Sequence, residues 1–428
     1  MELFSIIYEN RENPRMSYVI EVLNAHPYCK DAEVTFSINS DVGKKILYGL
    51  KKEGFDTVVP RSAFLFNDTR GAYFMNPYTF NERTVYSVEG SIKDCGVFWA
   101  EGQFGFDVFE CIFFHLSRYE ERDLDFEQYL SKKYEFERQL LLVKSGLEKN
   151  PVVDDLIKAF LEVVLEREVK VSRPLSLSHD IDFISKFKSP LSIIRKIAGH
   201  IRHRKTLKGF SYLWSSYRAY LFHGQDGFDT FDWMLSKKAI DKTIYFLVGG
   251  NHKEDNTYDL KGKTFKKALS LAKERNYHIG IHPSYNSWND KELILGEKEK
   301  LENEVGGEIG RSRQHFLNFD ISITPRLLQD IGISEDSSLG YTRHVGYRCG
   351  SGFAYKLYDF ENEKAFDVVE RPLIFMDMAW LHEGIRTGTL DLTSMENYYG
   401  CFNFHNSAFD EMGARSIAMK EEYLKIFQ

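Results

Sequence analysis

The chain lacks the surplus of positive charge that phosphate binding demands: 56 Lys and Arg stand against 63 Asp and Glu, a formal charge of -7 with a pI near 6.1. A nucleic-acid binder presents excess cations, so no nucleic-acid partner is expected. Cysteine is sparse as well. The five residues Cys29, Cys95, Cys111, Cys349 and Cys401 are odd in number, widely spread and without a C-x-x-C pair for zinc or redox chemistry. They read as reduced thiols, which points to a cytoplasmic protein. The opening "MELFSIIYENRENPR" has an acid at position 2 and an apolar run too short for a secretory core. No stretch approaches the roughly 18 uncharged apolar residues of a membrane span. There is also no internal repeat and no low-complexity segment.

What is present is length and a change of rhythm. At 428 residues the chain exceeds the usual single domain, so two are expected. Up to about residue 168, short strand and turn patterns give way to "DVFECIFFHLSRYEERD", apolar at helical spacing and ending in a charged face, and to "NPVVDDLIKAFLEVVLERE". The latter reads as a helix capped by Asn150 and opened by Pro151. From 169 to 428 strand candidates alternate with helical patterns: 175–181, 243–249, 277–283, 312–317, 334–339, 372–378 and 400–405. Such alternation predicts an α/β domain with a parallel sheet, open or closed into a barrel.

The polar residues of this half fall at strand ends. Asp180 and Asp182, His282, Arg313 and His315, Asp377, and His405 with Asn406 each close a different candidate strand. In parallel barrels that end carries the active site. Asp180 and Asp182 are two apart and share a face, leaving His179 to point the other way. In "YHIGIHPSYN" the pair His278 and His282 has the spacing of a helical metal pair, but a strand would separate the two backbones by roughly 13 Å. His282 remains a ligand candidate and His278 does not.

These motifs resemble the polysaccharide deacetylases of the NodB-homology type, in particular a bacterial branch with an uncharacterised N-terminal domain. "SHDID" is similar to the acidic first motif, "IGIHPSYN" to the second, "SRQHFLNF" to the arginine motif and "CFNFHNS" to the last. "SRYEERD", "NPVVDDL" and "GISEDSSLGY" extend the resemblance to the branch. It implies a distorted (β/α)7 barrel over 169–428, preceded by a smaller α+β domain over 1–168. The implied activity is hydrolysis of an acetyl group on an amino sugar or glycan, in surface polysaccharide or glycolipid synthesis. The implied cofactor is one divalent metal such as zinc. By the same resemblance Asp180 is the general base, Arg313 orients it, His405 is the general acid, and Asp182 and His282 are metal ligands. The family's second motif has a further histidine where this chain has Asn286. His315 is the nearest replacement, restoring a carboxylate and two imidazoles around an open position.

The residue types suit that chemistry on their own terms: a metal acidifies water, a carboxylate accepts its proton, and an imidazole returns one to the leaving group. Further substrate contacts are assigned to Arg348 in the Gly-rich "HVGYRCGSG", read as a rim loop, and to Asp377, Asn406 and Trp380, the last either stacking on a sugar or packing in a core. Residues 186–208 are basic and partly amphipathic, reading either as a membrane-surface contact or as a solvated face. Two other classes stand beside the deacetylase: an inactive glycan-binding relative, suggested by Asn286, and another metal-dependent hydrolase, such as a phosphoesterase, on the same barrel.

Overall fold

The computed structural model describes residues 1–8, 13–50, 53–62, 71–92, 96–187, 214–215, 217–218, 220–222, 224, 226–387, 398–410 and 414–427. The chain forms two compact units. The first is Met1–Pro174 with Phe319–Ile374, the second Leu175–Asn318 with Phe375–Gln428. A single boundary near 168 therefore gives way to a discontinuous division, in which the stretch from Phe319 to Ile374 belongs with the N-terminal residues.

In the first unit a parallel row is built from Val34–Ile38, Glu2–Ile7, Lys44–Tyr48 and Thr57–Val59, extended by Gln103–Phe104 and by Trp99–Ala100, which pairs antiparallel. A hairpin, Tyr355–Asp359 with Lys364–Glu370, is antiparallel, and the short strand Glu335–Asp336 runs parallel beside it. The sequence pattern at 334–339 thus yields two strand residues, and they lie outside the second unit. The helix expected after Asn150 spans Val152–Leu165, with Pro151 at the cap position and no side-chain cap. Its apolar stripe is buried through Leu156, Ile157, Phe160 and Leu161. The helix Val108–Leu116 is capped by Asp107, whose side chain accepts from the Glu110 amide.

The charged end of that helix is not a solvated face. Arg118 is 1% exposed and adopts a left-handed backbone, φ 56°. Its Nε donates to Glu121 Oε1 at 3.0 Å, and Arg348 Nη2 donates to Glu121 Oε2 at 2.7 Å. Burying three charges is tolerable only when they satisfy one another. Arg348 also donates to the Gly340 carbonyl at 2.9 Å and is buried. The loop expected at a rim is therefore interior to the first unit. Gly346 shows why it must be glycine: at φ 141°, an added Cβ would sit 2.0 Å from the Glu148 carbonyl oxygen.

The second unit holds six strands among the described residues, in the spatial order Arg311–Ser312, His278–Ile281, Asp241–Phe246, Leu175–Ile181, Gly400–Asn403 and Leu373–Met376, the last entering from the first unit. All pairings recorded between the first five are parallel. The second unit is thus α/β with a parallel sheet, as the alternation of strands and helices predicts. The central strand Leu175–Ile181 is buried on both faces from Leu177 on, as a parallel strand covered on both sides must be. His179 points away from its acidic neighbours: Nδ1 lies 2.9 Å from the Phe404 carbonyl and the Tyr423 hydroxyl 3.3 Å from Nε2. The strand candidate at 372–378 ends at Met376, because a helix starts at Asp377 and runs to Thr387.

Lys186 does not belong to a basic face. It is buried, and its Nζ donates to Asp410 Oδ2 at 2.7 Å. Residues 188–208 of that segment lie outside the described residues. Among the described residues no helix is long and apolar enough to cross a membrane.

Candidate metal and catalytic centre

The parallel register places Asp180 opposite Tyr245, and Tyr245 opposite Gly280. Glycine at 280 has a physical reason. A Cβ there would lie 2.5 Å from the Tyr245 ring, and that ring carries the Arg313 guanidinium at 4.5 Å from its centroid. Arg313 is fully buried, and its Nη1 donates to Asp180 Oδ1 at 2.9 Å, Asn403 Oδ1 at 2.7 Å and Ser178 Oγ at 2.8 Å. Asn403 Nδ2 donates to the other oxygen of Asp180 at 2.8 Å. Burial alone would raise the Asp180 carboxyl, but the Arg313 charge, with His282 and His405, brings it below the ordinary range. Asp180 is thus held ionised in one orientation.

Asp182 stands one step further out, its side chain 16% exposed, at the meeting point of three imidazoles. His282 Nε2 is 3.3 Å from Asp182 Oδ1, His315 Nε2 is 3.8 Å from Oδ2, and His405 Nε2 is 3.5 Å from Oδ2. Each ring has its Nδ1 engaged elsewhere. His282 Nδ1 lies 2.5 Å from the Arg313 carbonyl, His315 Nδ1 lies 3.0 Å from Asp255 Oδ1, and His405 Nδ1 lies 2.6 Å from Asp377 Oδ1. A ring that donates through Nδ1 presents Nε2 to the centre.

Asp182, His282 and His315 offer ligand atoms that all lie within 4.8 Å of one another. Ligand atoms about 2 Å from a shared ion in tetrahedral array would be about 3.3 Å apart, close to the spacings found. Asp182 Oδ1 is buried without a hydrogen-bond partner, the condition of an oxygen left for an ion. Two imidazoles and a carboxylate fit a zinc-like divalent cation.

The chain path explains how His315 arrives. Strand pairing beyond Ser312 is short, but Arg313 donates its amide to the Ile281 carbonyl at 3.1 Å and His315 its amide to the Pro283 carbonyl at 3.0 Å. The His315 ring therefore stands beside His282, centroids 5.0 Å apart. The chain then turns sharply through Phe316 and Leu317, at φ 58° and 55°, so 312–317 is not one strand. Asn286 is exposed at the start of the turn Ser287–Asn289. His278 is exposed at the opposite end of the strand from His282, 3.9 Å from Asp241.

His405 Nδ1 and its backbone amide both face Asp377, whose carboxylate is fully buried at the start of its helix. Burial would lower His405, yet the Asp377 and Asp182 charges outweigh it and raise the ring to about 10. The remaining contacts assigned to substrate are placed otherwise. Asp377 is committed to His405. Asn406 is buried and donates Nδ2 to the carbonyls of Phe183 and Phe228 at 2.8 and 2.9 Å. Trp380 is 5% exposed, with Phe375 6.5 Å away between ring centroids, and offers no open face. Arg348 belongs to the buried network of the first unit.

Sequence reasoning missed Asp255, Asn403, Ser178 and Tyr245. Asn403 ends the strand Gly400–Asn403 two residues before His405, a spacing that would have found it. Asp255 lies in a loop whose neighbours carry no periodic signal.

Residues 5–169 match the model of a family of unknown function, DUF7033, which covers less than half of the chain. No curated protein matches. Three solved structures share a slight likeness. A protein assigned as a polysaccharide deacetylase from Mycobacterium smegmatis is 13% identical over 60% of this chain and 85% of that one, with a TM-score of 0.32. One assigned as a polysaccharide deacetylase involved in O-antigen biosynthesis from Bordetella bronchiseptica is 12% identical over 59% and 78%, TM-score 0.25. PuuE allantoinase is 11% identical over 59% and 84%, TM-score 0.29. At these scores the likenesses are too slight to assign a fold or an activity to this chain.

Proposed function

We propose that the second unit is a metal-dependent hydrolase that removes an acetyl group from an amino sugar or glycan in surface polysaccharide or glycolipid synthesis. The observation that carries this reading is the convergence of the three Nε2 atoms of His282, His315 and His405 on Asp182, with the ionised Asp180 one strand step behind. Asp182, His282 and His315 would hold the ion, zinc by their donor types. When bound, such an ion supplies carbonyl polarisation and an acidified water.

The chain's own residues divide the proton traffic. Each Asp180 oxygen accepts from Arg313 or Asn403 and keeps a further lone pair, so the carboxylate can take a proton from water at neutral pH. Arg313 and Asn403 are positioning residues. His405, anchored through Nδ1 and its amide to Asp377, whose charge favours the protonated ring, can deliver an Nε2 proton to the leaving nitrogen or oxygen. His315 supports an active site over an inactive relative, since it offers the imidazole that Asn286 does not.

The test is acetate release from N-acetylated and O-acetylated glycans by zinc-loaded protein, with chelator-treated protein as control. Loss of release on chelation and recovery on adding zinc is expected. No acetate from any acetylated sugar by the loaded protein overturns the reading.

A further inference from the structure

Two stretches that leave the metal centre run on into one cavity. Asp182 is followed by Phe183, Ile184 and Ser185, and Asp255, the partner of His315, by Asn256, Thr257 and Tyr258. Together with the first turn of the helix Lys263–Glu274 they line a cavity of about 270 Å³. The two stretches are tied to the centre and to each other. Tyr258 Oη donates to the carbonyl of Ile181, next to Asp182, at 3.0 Å.

Phe183 is 37% exposed, an unusual cost for a phenylalanine, and its position is enforced. Asn406 clamps the carbonyls of both Phe183 and Phe228, and the two rings meet edge to face at 6.0 Å. We propose that this cavity is a subsite for one neutral sugar ring, stacked on Phe183 and hydrogen-bonded at its rim by Ser185, Asn256 and Thr257. A pyranose has an apolar C–H face and a ring of hydroxyls, and the lining holds a partner for each: the aromatic Phe183, Tyr258 and Phe265, and the polar Ser185, Asn256 and Thr257.

Size narrows the ligand. Small-molecule sites begin at about 300 Å³, so the space suits one ring, is far larger than an acetyl group needs, and is too small for a stretch of polymer. Charge narrows it further, because the charged residues of the lining, Asp259 and Lys263, are opposite in sign and both exposed to water. The substrate would therefore be recognised through a single acetylated unit, with little gain from chain length. This inference rests on the deacetylase reading for its reaction but not for its binding.

Binding of N-acetylglucosamine to the metal-free protein, followed by saturation-transfer NMR, tests the subsite alone. Wild type should show transfer to the sugar, Phe183→Ala should lose it, and Phe183→Tyr should keep it. Turnover then separates stacking from chemistry. Phe183→Ala should raise KM for N-acetylglucosamine about tenfold while acetate release from methyl acetate, which has no ring, changes by less than about twofold. Wild type should show KM values for the monosaccharide and its tetramer within about threefold. No transfer to wild type, equal losses of Phe183→Ala on both substrates, or a tetramer KM tenfold lower overturns the subsite. Transfer without acetate release from any substrate sinks the deacetylase reading and leaves the subsite standing.

Discussion

Asp255 Oδ1 lies 3.0 Å from His315 Nδ1, and the carboxylate that makes this contact is itself held by two backbone amides, Tyr285 to Oδ1 at 2.9 Å and His252 to Oδ2 at 3.1 Å. Its side chain is 1% exposed, and Gly250 leaves it room, since a Cβ there would approach Oδ2 to 2.3 Å. A carboxylate behind a ligating imidazole fixes the ring and raises its basicity. Asp255→Ala should weaken zinc binding by about 10–100-fold, read by competition with a metal indicator, and Asp255→Glu should recover part of it. Unchanged affinity in Asp255→Ala would remove this residue from the centre.

The three candidate ligands and their decoys separate in the same titration. His282→Ala and His315→Ala should each lose zinc, while His278→Ala should keep it, because that ring is exposed at the far end of its strand. Asn286→His should not tighten binding, since the residue is exposed at the start of a turn and His315 already supplies the second imidazole. Zinc loss in His278→Ala, or tighter binding in Asn286→His, would contradict the ligand set.

Asp180→Asn should leave zinc bound and lower turnover by about 10²–10⁴-fold, the usual worth of a general base. It should also cost stability, because it neutralises the partner of a fully buried guanidinium. A loss at or below the low end of about 3–5 kcal/mol is expected, as Arg313 keeps Ser178 and Asn403. Single-turnover acetate release and urea unfolding check the two effects separately. Turnover near wild type would exclude Asp180 as the base.

Glu121 ties acid stability to the first unit. Burial would raise its carboxyl, but Arg118 and Arg348 outweigh that and hold it at about 2. With the folded value depressed below the ordinary one of 4.5, the contribution is complete above that pH and is lost as pH falls toward 2. Urea midpoints measured from pH 6 to pH 3 should fall for wild type and fall less steeply for Glu121→Gln. That variant should already be less stable at pH 6, by about 3–5 kcal/mol, because two buried guanidiniums lose their common anion. Parallel pH slopes would show that Glu121 is not the titrating group.

Much of the second unit was legible in the chain, because strand ends carry their own signal. The strand Leu175–Ile181 matches its pattern residue for residue, and period-two alternation put Asp180 and Asp182 on one face and His179 on the other. Strand rise alone separated His278 from His282. What one-dimensional spacing could not show is which side chains face one another across strands. The approach of His315 to His282 depends on an amide reaching the Pro283 carbonyl, and the second carboxylate, Asp255, comes from an irregular loop with no period to read. Arg348 carries the same lesson in reverse. A charged residue among glycines looks like a rim, and only the Glu121 carboxylate from elsewhere in the first unit offsets the cost of its burial. Local pattern determined the elements and the ends where polar residues gather. Tertiary packing decided which charges were desolvated together, because that energy belongs to pairs distant in sequence.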